Sequence, residues 1–451
     1  MELSTKQIKS LWASSTKEHE QQDRREDYYE GKQKNCLLPD RSDGAKTPNL
    51  VNNFIRSTTD QHQGFITGIP VKITSINPTE QPAILNLDQI NKYNNIDVLN
   101  SEHVKTAILS GKSIEIHSYD PISGQIEINQ DDPQNWHIVS DQDGEVQLAI
   151  YKAVIPAGTI VSGQITDKKL TIWRVYDEIS IKEYQENSKA ELILVQDIPH
   201  YYGRPPIVIM KLNKCGDSMF NDAVLGLQDA YNASISSWMN DIINVTNSML
   251  VFTGVNMEAL LQPADIDNPN GDTKLRQMIV NRAAALPGQN VDAKYIYATN
   301  DYQSIVAHLK ESRDNIFESL ATPDFSHIMG NGAEKSGIAI KLAFAGILQK
   351  TTEEIRYLQQ SISQRIDLIN CIWGYIQMPQ LVDYEIVISQ NMPDVGINYV
   401  KPEQSIDSGG VEKDTATEDL IMSNDTNTTN GPSDPMVAEP PNSMMGSILS
   451  K

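Results

Sequence analysis

The sequence has 451 residues, of which 37 are Lys or Arg and 59 are Asp or Glu, so the formal net charge at pH 7 is −22. A protein that grips DNA phosphates without regard to base sequence needs a basic face, and this balance argues against that class. Apolar residues make up 39% and charged residues 21% of the chain. That composition is typical of a folded protein rather than a disordered one.

Export and membrane insertion are not expected. The chain begins with polar residues instead of the apolar core of a signal peptide, and no run approaches the roughly 18 apolar residues of a membrane span. The three cysteines, Cys36, Cys215 and Cys371, form neither a disulfide framework nor a CxxC metal pair. The sequence therefore predicts a protein of a reducing compartment without a membrane partner.

The first section of the chain reads as mainly helical. A polar helix is predicted over residues 4–29, with Ser4 as its N-cap and Gly31 at its end. Residues 47–110 show a mostly helical pattern, interrupted by a glycine–proline break at 68–70 and a short strand at 71–73.

From residue 113 to about 212 the apolar period changes to two, which favours strands. Gly, Pro and Asp turns separate the candidates and no helical crossover joins them, so a mixed, mainly antiparallel domain is predicted. The predicted strands are 114–116, 125–128, 146–154, 170–175 and 192–195.

Three long amphipathic helices are predicted next, at 220–249, 301–320 and about 336–378, and Gly254 would end the first. A stretch rich in Pro, Asn, Asp and Gly follows the first helix, and a glycine-rich loop at 324–337 follows the second. Their apolar stripes fit an elongated subunit of an oligomer or an ordinary helical domain. The chain after Val400 is polar and acidic, which predicts a flexible tail.

Motifs of catalysis and metal binding are not convincing. Ser110–Ser113 reads SGKS, but a phosphate loop needs Gly where Thr106 stands and a strand where a helix is predicted. The eight histidines lack HxxxH and HExxH spacing, and the acidic pair Asp131–Asp132 precedes a proline, as in solvated turns. We therefore expect no enzyme activity, no cofactor and no metal.

Six short segments of the chain form a recognisable series over about residues 30–350. They are Tyr28–Gly31, Asn49–Ile55 leading to Gly64–Val71, the run from Gly111 through Gly124 to Pro133, His200–Ile207, Leu227–Asn232, and Thr322–Asp324 with Ser336–Lys341. Each is weak alone, but in their order and spacing they resemble the portal proteins of tailed double-stranded DNA bacteriophages (siphophage type).

The resemblance implies an α+β fold with a mixed α/β wing domain, long stem and spine helices, a small α/β clip and a flexible acidic C-terminal tail. The residues after 400 do not read as the long helices of the usual portal crown. The implied parts are an N-terminal helical arm (1–44), wing (45–217), first stem helix (218–252), clip (253–299), second stem helix (300–323), tunnel loop (324–336), wing spine helix (337–378), strand leading to the crown (379–400) and acidic tail or reduced crown (401–451).

The resemblance also implies a function. About twelve copies would form a ring at one capsid vertex, the channel for DNA packaging and ejection, in a virion assembled in the host bacterial cytoplasm. Its partners would be double-stranded DNA, terminase, head-completion or adaptor proteins, and the major capsid and scaffolding proteins. The alternatives are another phage head–tail protein, such as an adaptor, or an intracellular enzyme of unknown chemistry.

By the same resemblance, particular residues receive roles. The tunnel loop would meet DNA through polar side chains and bend at glycines, and the clip would dock partners through polar residues at its tip. The tunnel-loop residues are His327, Asn331, Glu334 and Lys335, the hinge residues Gly330, Gly332 and Gly337, and the docking residues Asp265, Asp267, Asn268 and Asn270.

Overall fold

The computed structural model describes residues 3–40, 46–142, 144–161, 164–246, 249–253, 261–262, 273, 276, 292–296, 302–324 and 342–392. The chain divides into two units, Met1–Ile397 and Asn398–Lys451, and every described residue belongs to the first. The predicted acidic tail therefore lies outside the described residues.

The N-terminal segment forms two helices where one was predicted, α1 (Thr5–Ser14) and α2 (Thr16–Tyr29). Ser4 is the N-cap of α1, as predicted: its hydroxyl accepts from the Gln7 amide, and the Gln7 side chain accepts from the Ser4 amide at 2.9 Å. The helix breaks at Ser15, whose hydroxyl instead lies 2.9 Å from Nδ1 of His137. Gly31 ends α2 with φ +82°, a conformation that costs glycine little.

The α-helices α3 (Phe54–Thr67), α4 (Gln81–Tyr93) and α5 (Ile96–Ser110) follow, with the short strand β1 (Lys72–Thr74) between the first two. The strand is thus one residue later than predicted. It pairs antiparallel with the last described strand, β14 (Glu385–Val387).

Two antiparallel sheets occupy the middle of the chain, as the period of two predicted. Their strands are β2 (Lys112–Tyr119), β3 (Ile126–Asp131), β4 (Trp136–Ser140), β5 (Val146–Ile155), β8 (Leu170–Tyr176), β9 (Ser180–Glu186), β10 (Leu192–Pro199) and β11 (Ile207–Lys211); the short β6 (Ile160–Val161) and β7 (Gln164–Ile165) pair with each other. The three-stranded sheet has the order β11-β2-β3, and the five-stranded sheet has the order β10-β9-β8-β5-β4.

All five predicted strands exist, and β4, β6, β7, β9 and β11 were not predicted. β9 has the sequence Ser-Ile-Lys-Glu-Tyr-Gln-Glu, in which polar and charged residues obscure the apolar–polar alternation of a strand. β11 is instead a run of apolar residues without alternation. Such a run is typical of a strand covered on both faces. Both faces of β11 are covered, because Val208 and Met210 pack into the helical core and Ile207 packs between the two sheets.

Three long helices follow the sheets: α6 (Asp222–Thr246), α7 (Tyr302–Ser319) and α8 (Ala345–Tyr375). The predicted 220–249 helix is too long, because Met249–Thr253 forms a strand, β12, that pairs with β13 (Asp292–Ile296). The β-branched and aromatic residues of that segment favour the strand. The predicted start of the third helix, residues 336–341, lies outside the described residues.

The main core surrounds the apolar stripe of α8. Ile355, Leu358, Ile362, Ile366, Ile369 and Trp373 are buried there, as the spacing predicted, against residues of α3, α5, α6 and α7. A second core lies where α1 packs on the five-stranded sheet: Ile8 is fully buried among Leu148, Ile150, Trp173 and Leu192. In the described part of the chain, no helix is both long and apolar enough to cross a bilayer.

Candidate functional site at the ends of residues 325–341

The residues assigned to the tunnel loop and its hinges, His327, Gly330, Asn331, Gly332, Glu334, Lys335 and Gly337, all lie outside the described residues. So do Asp265, Asp267, Asn268 and Asn270 of the predicted docking surface. The structure instead describes the residues that flank segments 254–291 and 325–341.

The residues that flank segment 254–291 are neighbours in the structure. β12 and β13 pair antiparallel with Thr253 opposite Asp292, so the two ends are adjacent strand residues. α6 precedes this pair and α7 follows it. The two helices run antiparallel, because Trp238 late in α6 lies 5.5 Å (ring to ring) from Tyr302 early in α7, whereas Phe54 joins Tyr231 to Phe317, near the end of α7.

Segment 325–341 begins just beyond the C-terminus of α7, which a Schellman motif closes. The Thr322 amide donates to the Phe317 carbonyl at 3.0 Å, and the Ala321 amide donates to the Glu318 carbonyl at 3.0 Å. Ala321 has φ +51°, the left-handed position that glycine usually occupies. The chain therefore turns sharply at a fixed point before it enters the segment.

The last described residue of this end, Asp324, is held by an arginine of α7. Nη2 of Arg313 donates to Oδ1 of Asp324 at 2.8 Å, and Nε lies 2.7 Å from Oδ2. The guanidinium also lies 5.6 Å from the ring centres of Phe54 and Phe317. An ion pair backed by two aromatic rings loses less side-chain entropy than a free surface pair, so it fixes Asp324 firmly.

A fully buried histidine of α3 joins this end to α8. Nε2 of His62 lies 2.9 Å from Oγ1 of Thr322, and the same hydroxyl oxygen lies 3.1 Å from the Leu320 carbonyl oxygen. Which of the two side chains donates depends on the tautomer of His62. Its Nδ1 lies 3.5 Å from Oε2 of Glu354, which is 1% exposed, and Oε1 of Glu354 has no partner among the described residues.

The returning end is fixed by packing. Phe344 is 3% exposed and stacks on Phe65 of α3, with ring centres 6.4 Å apart, in a small apolar cluster with Ile347 and Met392. Two residues later, Gly346 lies against the end of α7: a Cβ there would be 3.2 Å from the Ala321 carbonyl oxygen. Glycine thus permits the two ends of the segment to approach closely.

His62 and Phe65 lie three residues apart on α3, on one face of that helix, and contact opposite ends of segment 325–341. These two contacts therefore fix the residues on either side of the segment to one helix. Within the described residues, no group of three or more His, Cys, Asp or Glu is arranged to hold a metal ion.

A second buried cluster fixes α8 to the three-stranded sheet. Arg365 of α8 donates to both carboxylate oxygens of Glu115 on β2, through Nη2 at 2.7 Å and Nε at 2.9 Å. His103 and His117 donate to the same carboxylate at 2.9 and 2.7 Å, and Asn100 accepts from Arg365 at 2.8 Å. Every member is almost fully buried.

The charges of this cluster follow from its contacts. Burial alone would raise the pKa of Glu115, but the Arg365 charge and the hydrogen bonds from the histidines hold that pKa well below its ordinary value of 4.5. Burial lowers the pKa of His103 below its ordinary value of 6.5, and this effect outweighs the contact with Glu115. Neutral His103 fits its surroundings, since Nδ1 can accept from Ser113, 2.7 Å away.

Sequence reasoning missed both clusters. Glu115 stands between two isoleucines in a strand, a pattern that predicts an exposed carboxylate, and His62 has no partner nearby in sequence. The rejection of SGKS as a phosphate loop is confirmed: α5 ends at Ser110 and a strand begins at Lys112. The glycine is needed there because Gly111 has φ +90° and a Cβ would collide with the Gly216 carbonyl.

The family model "Phage portal protein, SPP1 Gp6-like" matches residues 8–402. The chain belongs to the phage portal protein family. The resemblance carried by the six segments is thereby confirmed, and so is the α+β fold class. Portal proteins are structural components of the head–tail connection of virions rather than enzymes.

Solved structures similar to this portal protein come from gene transfer agent (GTA) particles. A chain of the virion of a native particle has TM-score 0.44 and 13% identity, with 78% of this chain and 83% of that chain covered. A chain of the neck of an empty particle, with C6 symmetry, has TM-score 0.43 and 14% identity over 77% and 83%. The neck of the native particle, with C12 symmetry, gives 0.43 and 13% over 75% and 80%. No curated protein sequence matches significantly.

Proposed function

We propose that about twelve copies of this chain form a ring at one capsid vertex, through which DNA is packaged and ejected. The observation that carries the proposal is the family match over residues 8–402. In this proposal the protein is assembled in the host bacterial cytoplasm and stays in the virion, in contact with capsid and scaffolding proteins.

The antiparallel helices α6 and α7 are the natural candidates for the stem. α7 has 18 residues and is about 27 Å long at 1.5 Å per residue. Segment 254–291 precedes α7 and segment 325–341 follows it, so the two leave opposite ends of this helix. We assign the first to the clip (253–299), which docks terminase and later head-completion proteins through Asp265, Asp267, Asn268 and Asn270. Residues 325–336 of the second belong to the tunnel loop (324–336).

The supports of the tunnel loop suit this role. A loop that follows moving DNA must shift in its middle while its ends stay fixed. The His62–Thr322 contact, the Arg313–Asp324 ion pair and the buried Phe344 ring supply fixed ends. Between them, Gly330, Gly332 and Gly337 permit backbone angles closed to other residues. His327, Asn331, Glu334 and Lys335 are our candidates for contact with the duplex, Lys335 with its phosphates.

The acidic charge fits a channel through which DNA slides. Twelve copies of a chain with net charge −22 carry about −260 before counterions. Each phosphate neutralised by a fixed cation adds affinity that translocation must break, so few cations leave the duplex mobile.

Electron microscopy and light scattering of the purified protein test the ring. We expect closed rings of about twelve subunits, and a stable monomer under every salt condition would refute the proposal. Replacement of residues 263–271 by a Gly/Ser linker of equal length tests the clip: rings should form and packaging should fail, whereas normal packaging would remove the docking role.

Substitutions in the tunnel loop test the DNA contact. Lys335→Glu, and separately the pair Gly330→Pro and Gly332→Pro, should lower the DNA packaged per head in rings that assemble normally. Lys168→Glu, at an exposed lysine in the turn before β8, is the matched control for the charge change. Wild-type packaging by both loop variants would contradict the assignment.

A further inference from the structure

The three-stranded sheet has an open edge at β11. Two contacts fix which backbone groups face outward: the His117 amide donates to the Pro206 carbonyl at 2.9 Å, and the Leu212 amide donates to the Gly111 carbonyl at 2.9 Å. The backbone groups of the even-numbered residues of β11 therefore form the hydrogen bonds with β2. The amide and carbonyl groups of Ile209 and Lys211 face away from the sheet, and no described residue bonds them.

A groove lies along this edge. It has a cavity volume of about 280 Å³, and α8 forms its opposite wall through Tyr357, Gln360 and Gln364. These three residues are spaced by three and four positions and so lie on one face of the helix. Neither glutamine amide has a hydrogen-bond partner among the described residues. A primary amide both donates and accepts, so it can satisfy the outer backbone groups of a strand laid against β11.

The groove is basic although the chain is acidic. Arg204, Lys211 and Lys214 line it, against one carboxylate, Glu145. Nη1 of Arg204 lies 3.9 Å from that carboxylate, and Nε of Arg204 is buried without a partner in the described part of the chain. With a net charge of −22 on the whole chain, three cations along one sheet edge form a local site for a negatively charged ligand.

We propose that this groove binds an extended acidic segment of a partner protein, which adds to the sheet as a strand beside β11. Main-chain hydrogen bonds to Ile209 and Lys211 would give affinity, and the three cations would select acidic side chains. A DNA duplex is about 20 Å wide and cannot enter such a groove, and a bare phosphate would leave the outward backbone groups of β11 unpaired. The proposal rests on the described fold and does not require the ring.

The test uses the full-length protein and a fluorescent eight-residue peptide of alternating aspartate and valine. Fluorescence anisotropy should show saturable binding that weakens as salt rises. The double variant Lys211→Glu, Lys214→Glu should bind about tenfold more weakly or worse, whereas Lys168→Glu, Lys169→Glu, in the exposed turn before β8, should bind like the wild type. Equal binding by both double variants would overturn the proposal.

Two further measurements separate strand addition from simple anion binding. The same peptide with every second amide N-methylated keeps its charge but loses one hydrogen-bonding edge, and it should bind at least about tenfold more weakly. Hydrogen exchange over residues 205–212 should slow when the unmodified peptide is bound. Equal affinity of the methylated peptide, or displacement of the unmodified peptide by millimolar inorganic phosphate, would show a bare anion site and refute the proposal.

Discussion

His62 and Thr322 are 260 residues apart in sequence, and Nε2 of one lies 2.9 Å from Oγ1 of the other. Both side chains are buried, and the threonine hydroxyl oxygen also lies 3.1 Å from the Leu320 carbonyl oxygen. Thr322 is thus the hydrogen-bond partner of the buried Nε2 atom. Through that contact α3 fixes Thr322, which lies two residues before Asp324, the last described residue ahead of segment 325–341.

Removing this hydroxyl should lower stability. Thr322→Val keeps the shape but leaves the buried Nε2 atom of His62 without a hydrogen-bond partner, so we expect the free energy of unfolding to fall by about 1–3 kcal/mol. Thr59→Val is the matched control: Thr59 is fully buried on the same helix as His62, but its hydroxyl donates only to the Ile55 carbonyl, one turn earlier. Thermal unfolding of both variants in one buffer decides the matter. Equal midpoints would show that the His62 contact adds nothing.

Breaking the Glu115–Arg365 ion pair should lower the free energy of unfolding by a larger amount. Arg365→Met removes the cation and leaves a buried carboxylate held only by two histidines, so we expect a loss of about 3–5 kcal/mol. The double variant Arg365→Met, Glu115→Gln removes both charges and should recover part of the loss. Arg356→Met, at an exposed arginine of the same helix, is the control and should change stability by less than about 0.5 kcal/mol. A double variant no more stable than Arg365→Met would contradict an electrostatic origin.

The same cluster predicts a loss of stability in mild acid. Burial lowers the pKa of His103 below 6.5 in the folded protein, so as pH falls below 6.5 the unfolded chain binds a proton that the folded chain does not. The free energy of unfolding should therefore fall with pH. The pKa values of His137 and His200 are also lowered by burial and act in the same direction. Below pH 4.5 Glu115 continues the trend, since its folded pKa is depressed.

Urea unfolding at steps between pH 7.5 and 5.5 measures this slope. His103→Gln should make it shallower whatever the variant does to stability at pH 7.5, because one of the groups that cause it has been removed. A free energy that stays constant over this range in the wild type would contradict the assignment of His103 as neutral in the fold.

Local patterns were enough to predict much of the fold. Ser4 caps α1, Gly31 ends α2, and the stripe from Ile355 to Trp373 is buried along α8, because each depends on residues close together in sequence. The supports of segment 325–341 could not be predicted in this way. His62 has no neighbour in sequence that explains its burial: its partner Glu354 lies on α8, and its partner Thr322 lies just after the end of α7. Likewise Glu115 reads as an exposed strand residue until Arg365 is brought beside it.

The contacts of α1 predict that the N-terminal arm stabilises the fold. Ile8 of α1 is fully buried against the five-stranded sheet, and nearby the ring of Trp12 lies 5.5 Å from that of Trp173. Ile8→Ala would leave a cavity, so we expect a loss of about 2–5 kcal/mol. Ile122→Ala, at a side chain that is 97% exposed, should cost less than about 0.5 kcal/mol. Calorimetry compares the two, and equal midpoints would mean that α1 does not stabilise the sheet.

One substitution in the turn at the end of α7 should increase the stability of the fold. Ala321 has φ +51°, a conformation that costs a residue with a Cβ about 1–2 kcal/mol. Glycine avoids this cost, but the greater conformational entropy of its unfolded chain cancels part of the gain. Ala321→Gly should therefore raise the free energy of unfolding by up to about 1 kcal/mol. The same chemical change at Ala230, exposed in the middle of α6, should lower it by about 1 kcal/mol, because glycine is a poor helix former. Denaturant midpoints that move in opposite directions would confirm the left-handed turn. A loss of stability in both variants would show that the Ala321 methyl group contributes more by packing than its backbone conformation costs.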